Sequence, residues 1–96
     1  MAAMMKRAQQ MQEQMLQAQS QLEESKFEAS AGGGMVKIVM SGKKIVEQIE
    51  IADEIVNANE KDMLIDMLIV AFNDCTNQID EAAKEKLGPL AGGLGL

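Results

Sequence analysis

The hydrophobic period changes twice along the chain. Met4, Ala8, Met11, Met15, Ala18 and Leu22 recur at alternating steps of four and three, which puts them on one seam of an α-helix. The positions between them are mostly Gln, a good helix former, as are the Ala, Met and Leu of the seam. A helix from about residue 2 to 25, roughly 36 Å long, is predicted. The period then falls to two. Phe27, Ala29 and Ala31 alternate with polar residues, and after three glycines Val36, Ile38 and Met40 alternate with Lys37, Val39 and Ser41. After Gly42-Lys43, Ile45, Glu47, Ile49 and Ile51 share one face of a third run, with Val46, Gln48 and Glu50 on the other. Glu47 interrupts that apolar face and marks a rim or a bulge. Three such runs separated by glycine turns predict an antiparallel meander.

The helical period returns after a polar connection, Asp53 to Asn59. Asn59 is a candidate N-cap, with Glu60 and Asp62 placed to suit the first turn. Leu64, Leu68, Ala71, Cys75 and Ile79 form one stripe, widened by Met67, Val70 and Phe72. This predicts a helix over about 60–87 that Gly88-Pro89 ends. The fold class is α+β, in the order α-β-β-β-α: a three-stranded antiparallel meander and two long helices. Residues 1–87 form a single domain, and the Gly-rich segment 88–96 is a flexible tail. A seven-residue strand spans only about 23 Å, so both helices outrun the sheet. Their overhanging apolar seams call for a partner, and a second copy is the simplest one. Met4, Ala8, Met11, Met15 and Leu22 are the candidate dimer contacts.

Composition narrows the function. The chain has 96 residues and a formal charge of −6, from nine basic and fifteen acidic side chains. It therefore has no global basic footprint. Phe27 and Phe72 are its two aromatics, too few for a platform that stacks single-stranded bases. Nine methionines suit irregular gaps or adaptable contact surfaces. The lone Cys75 fits a reducing compartment. No apolar run approaches the roughly 18 residues of a membrane span, and MAAMMKRAQQMQEQ lacks the apolar stretch of a secretory signal.

Catalysis finds no support. Gly32-Gly33-Gly34 leads into a strand, whereas a phosphate-binding glycine loop leads from a strand into a helix N-terminus. Gly42-Lys43 likewise sits between strands. Both read as turns that need positive φ or close backbone approach. The absence of histidine excludes the usual Ser or Cys triads and a Cys/His zinc site. Cys75 lies on the apolar stripe and reads as a core residue. Glu23-Glu24, Asp80-Glu81 and the i,i+4 pair Asp62/Asp66 read as solvated helix faces. No cofactor, metal or small-molecule substrate is implied. The basic residues do cluster: Lys6-Arg7 at the start of the first helix, Lys43-Lys44 at a hairpin, Lys84 and Lys86 at the end of the last helix. Such local patches can attract phosphates even on an acidic protein.

The stretches MMKRAQQMQEQMLQAQSQLEE, ASAGGGMVKIVMSGKK, VEQIEIADEIV, DMLIDMLIVAFNDCTNQIDEAAKEKLG and LAGGLGL, in this order and spacing, resemble the YbaB/EbfC family of bacterial nucleoid-associated proteins. The resemblance spans nearly the whole chain. It implies a small cytoplasmic, nucleoid-associated homodimer with projecting helices that binds double-stranded DNA without catalysis. It associates DNA contact with the helices, which here means Lys6 and Arg7 in the first and Lys84 and Lys86 in the last. Leu87 stands where the family often has Met, and the chain ends at GGLGL where relatives usually continue into a Pro-Gly segment. A reading from another class is a protein–protein adaptor that receives a partner helix on its Met-rich seams and does not use DNA. Salt-dependent retention on duplex DNA separates the two.

Overall fold

The computed structural model describes the backbone of residues 2–93 and the side-chain surroundings of residues 2–88. Helix α1 (Ala2–Glu24) is followed by strands β1 (Lys26–Ala31), β2 (Val36–Ser41) and β3 (Val46–Ile51). Two 3-10 turns, Asp53–Ile55 and Ala58–Glu60, lead into helix α2 (Lys61–Gly93). The strands form one antiparallel sheet in the order β1-β2-β3. The α+β class and the α-β-β-β-α order are those expected from the changes of period.

The core lies between the sheet and α2. Val36, Ile38 and Met40 of β2 are buried, as are Ala29 of β1 and Ala71, Cys75 and Ile79 of α2. Period two on the strands and 3.6 on the helix bring these residues face to face. Ile55, in the first 3-10 turn, closes the core from the connection. Helix α2 runs antiparallel to β1. Met67 lies against Gly32, while Gln78 Nε2 donates to the Glu28 carbonyl at 3.1 Å and Cys75 Sγ to the Phe27 carbonyl at 3.5 Å. Burial pushes the Cys75 thiol pKa up, in keeping with a packed, unreactive side chain.

The glycines divide by physical role. Gly32, Gly33 and Gly34 have φ of 64°, 68° and 93°, a backbone region in which a Cβ costs energy. Gly42 is required for space instead. A Cβ there would lie 1.7 Å from the Leu22 carbonyl oxygen, and its N–H donates to the Ser25 carbonyl at 3.1 Å. The positive φ of that hairpin falls on Lys44, at 64°.

Three local readings change. In β3 the register runs Val39 opposite Gln48, then Met40 opposite Val46, so Glu47 is the extra residue of a bulge. The bulge shifts the strand's phase, and Val46 rather than Ile45 joins Ile49 and Ile51 on the α2 side. The N-cap is Asn57, whose side-chain oxygen accepts from the Glu60 N–H at 3.0 Å. A 3-10 turn precedes α2, so the cap sits two residues before Asn59. Finally, α2 passes through Gly88-Pro89 to Gly93. The residue before the proline is Gly88, which has no Cβ and so is less restricted there than other residues. Of the segment read as a tail, 94–96 lie outside the described residues.

Candidate nucleic-acid interface

The two helices form an arm beyond the sheet. On the β2–β3 hairpin, Lys43 reaches Glu23 of α1 at 4.0 Å and the adjacent Lys44 reaches Asp80 of α2 at 2.8 Å. Glu23 and Asp80 therefore stand at one level. From it α1 extends back toward Ala2 and α2 onward to Gly93, packed antiparallel on one another. The result is an elongated molecule of 69 × 19 × 16 Å.

Burial along the α1 seam records how far this packing reaches. Leu22 is buried, Ala18, Met15 and Met11 are half-buried, and Ala8 and Met4 are exposed. The apolar overhang expected to seek a second copy is thus matched within the chain as far as Met11, against a stretch of α2 where Ala83 and Leu87 are half-buried. Of the seam, Met4 and Ala8 remain open to another molecule.

The cations divide by element. Every lysine of the sheet and its hairpins is tied to a carboxylate: Lys26 to Glu47, Lys37 to Glu28 at 2.9 Å, Lys43 to Glu23 and Lys44 to Asp80. Exposed pairs of this kind add little stability, but they cancel the local field. Glu28, by hydrogen bond and by charge, raises the pKa of Lys37, which fixes the pair as ionic. Among the described residues, Lys6, Arg7, Lys61, Lys84 and Lys86 enter no ion pair, and all are exposed. Four of these five lie on the arm. At 1.5 Å per residue, Lys6 is about 25 Å beyond the hairpin level and Lys84 about 6 Å beyond it. Lys61, absent from the sequence-derived set, stands at the opposite end of α2. The Lys43-Lys44 cluster, conspicuous in sequence, is neutralised by its neighbours.

One apolar surface also escaped the pattern analysis. Helix α2 packs across β1 and β2, and β3 lies beyond it. Val46 and Ile49, on the same side of the sheet as the core, remain 40% and 46% exposed. On the adjacent flank of α2, Ile65 and Ile69 sit at i,i+4 and are 43% and 52% exposed. The available signal was this pair of isoleucines standing off the main stripe.

The model of the YbaB/EbfC DNA-binding family matches residues 1–94. The chain belongs to that family. It is 46% identical over 93 residues to a nucleoid-associated protein of Oceanobacillus iheyensis, covering 97% of this chain and 89% of that one. A nucleoid-associated protein of Chloroflexus aggregans is 43% identical, with 95% and 91% covered. One of Mycobacteroides abscessus is 40% identical, with 99% and 83% covered. Among solved structures, an uncharacterized protein from Helicobacter pylori superimposes with a TM-score of 0.74 at 20% identity, over 88% of this chain and 89% of that one. That likeness establishes the shared fold.

No helix among the described residues is long and apolar enough to cross a membrane. Among the same residues no group of three or more His, Cys, Asp or Glu side chains could hold a metal ion.

Proposed function

We propose that this YbaB/EbfC member binds double-stranded DNA as a homodimer in the bacterial cytoplasm, associated with the nucleoid, and acts by binding without catalysis. The observation that carries the reading is the division of the cations. Those on the sheet are paired with carboxylates, while Lys6, Arg7, Lys84 and Lys86 on the two-helix arm enter no ion pair among the described residues. With −6 per chain, a dimer carries twice that, −12, so its net field repels DNA. Approach depends on local geometry that presents the arm cations while carboxylates point elsewhere.

The homodimer reading is supported by the uncovered apolar face. A helix that spans two strands of a three-stranded sheet leaves the third strand half-finished. A second copy, related by a two-fold axis, supplies its own Ile65 and Ile69 to cover Val46 and Ile49 and receives the same cover in return. Met4 and Ala8, far out on the arm, stand apart from that contact.

A salt titration on duplex DNA tests the proposal. If roughly six phosphates are neutralised per dimer, log affinity falls with log salt at a slope of about −5, close to a thousandfold between ~50 and ~200 mM. Replacing Lys6 and Arg7 together by Ala removes up to about four contacts per dimer and brings the slope toward roughly −2. Two unrelated duplexes weaken alike, because phosphate contacts carry no base information. Replacing Lys43 and Lys44 leaves the slope where it was. A wild-type chain that ignores duplex DNA even at low salt supports the adaptor instead.

A further inference from the structure

A groove lies on the other flank of α2, on the side turned to β1. It has a volume of about 480 Å³, with Phe27 and Ala82 in its wall and Asp74, Gln78, Glu81 and Glu85 along its rim. Gln78 is held in place by hydrogen bonds to the Glu28 carbonyl and to Asp74. Among the described residues, none of the three rim carboxylates is in an ion pair. Toward the N-terminus of α2 the same flank turns apolar. Met63, Val70, Asp74 and Glu81 follow at steps of seven, four and seven, which keeps them in one line. Met63 and Val70 are 40% and 57% exposed. The surface is thus apolar at one end and acidic at the other, and β3 and the apolar face beside it lie on the opposite flank.

The first turns of α1 carry the complementary pattern. Met4 and Arg7 stand one helical turn apart on one face; Met4 is 75% exposed and, among the described residues, Arg7 and the adjacent Lys6 enter no ion pair. The chain cannot fold this segment back on its own groove. Helix α1 is continuous, and it holds Lys6 roughly 25 Å beyond the hairpin level, whereas Glu85 is only about 8 Å beyond it. We propose that the α1 tip of a second copy docks in this groove, Met4 toward Val70 and Arg7, one turn on along the same face, toward Asp74 and Glu81, with Lys6 beside it. The contact is head-to-tail: tip and groove are different surfaces, so each molecule offers one of each and the contact propagates into open chains. It is separate from the two-fold contact on β3. Its consequence rests on the DNA-binding reading: the tip cations are those assigned to phosphates, so duplex DNA and the groove compete for them.

Sedimentation velocity of the full chain without DNA tests the docking on its own terms, whether or not duplex binding holds. At low salt the protein sediments as species larger than a closed dimer, and raised salt reverses this. Asp74→Lys with Glu81→Lys weakens the assembly at least about tenfold, as does Lys6→Glu with Arg7→Glu. Circular dichroism verifies that both variants fold. Mixing the two variants restores association, because the reversed tip of one meets the reversed groove of the other. A single closed species at every salt and protein concentration overturns the proposal. So does an assembly indifferent to either reversal, or a mixture that fails to recover.

Discussion

Gly42→Ala should cost more stability than a surface glycine in a hairpin suggests, and it should weaken DNA binding from a distance. The added Cβ would stand 1.7 Å from the Leu22 carbonyl oxygen, 2.5 Å from its carbon and 3.0 Å from the Glu23 Cα. All three are backbone atoms, so no side-chain rotation relieves the contact. The end of α1 must retreat by about 1.5 Å to reach ordinary van der Waals distance. That retreat breaks the Gly42–Ser25 hydrogen bond, worth about 1 kcal/mol. It also uncovers much of Leu22, 5% exposed in the native structure, whose burial contributes about 1.5–3 kcal/mol. A loss near 3 kcal/mol follows, or roughly 12–24 °C in Tm for a domain of this size. Gly33→Ala is the control. Its φ of 68° makes a Cβ unfavourable, but nothing lies within 4 Å of it, so it should cost about 1–2 kcal/mol. Urea denaturation at fixed protein concentration measures both. Because α1 carries Lys6 and Arg7, a misplaced α1 should also lower duplex affinity in a gel-shift titration under conditions where the variant is folded. A Gly42→Ala protein within about 0.5 kcal/mol of wild type, or less destabilised than Gly33→Ala, would refute the close-approach argument.

Ile69→Lys places a charge in the face offered to the second copy. The exposed half of Ile69 alone is worth about 1 kcal/mol per subunit when covered, and a buried unpaired lysine adds more, so analytical ultracentrifugation should show a folded monomer at micromolar concentration. A dimer of unchanged affinity would move the two-fold contact elsewhere. Asn57→Ala removes the side chain that caps the turn before α2 and should cost about 1 kcal/mol in thermal or chemical unfolding, whereas Asn59→Ala should stay within a few tenths; the reverse order would return the cap to Asn59.

The local architecture was legible because period is a local property. Seam spacing over Met4–Leu22, alternation over Phe27–Met40 and the stripe Leu64–Ile79 each follow from side-chain direction within one element. The anomalous Glu47 announced its bulge in the same way, and helix formers with glycine punctuation did the rest. What the spacing could not carry was the identity of each element's partner. The α1 seam is equally apolar whether α2 or a second copy covers it, and only the collinear exit of both helices from the sheet makes α2 the neighbour as far as Met11. Nor could the spacing tell free cations from cancelled ones. Lys43-Lys44 and Lys6-Arg7 read alike in sequence. The hairpin brings the first pair to Glu23 and Asp80, which lie 20 and 36 positions away along the chain, while on the arm the second pair meets no carboxylate among the described residues. The half-covered β3 belongs to the same class: its exposure depends on the width of one helix laid over three strands, a quantity that exists only once the sheet and helix have met.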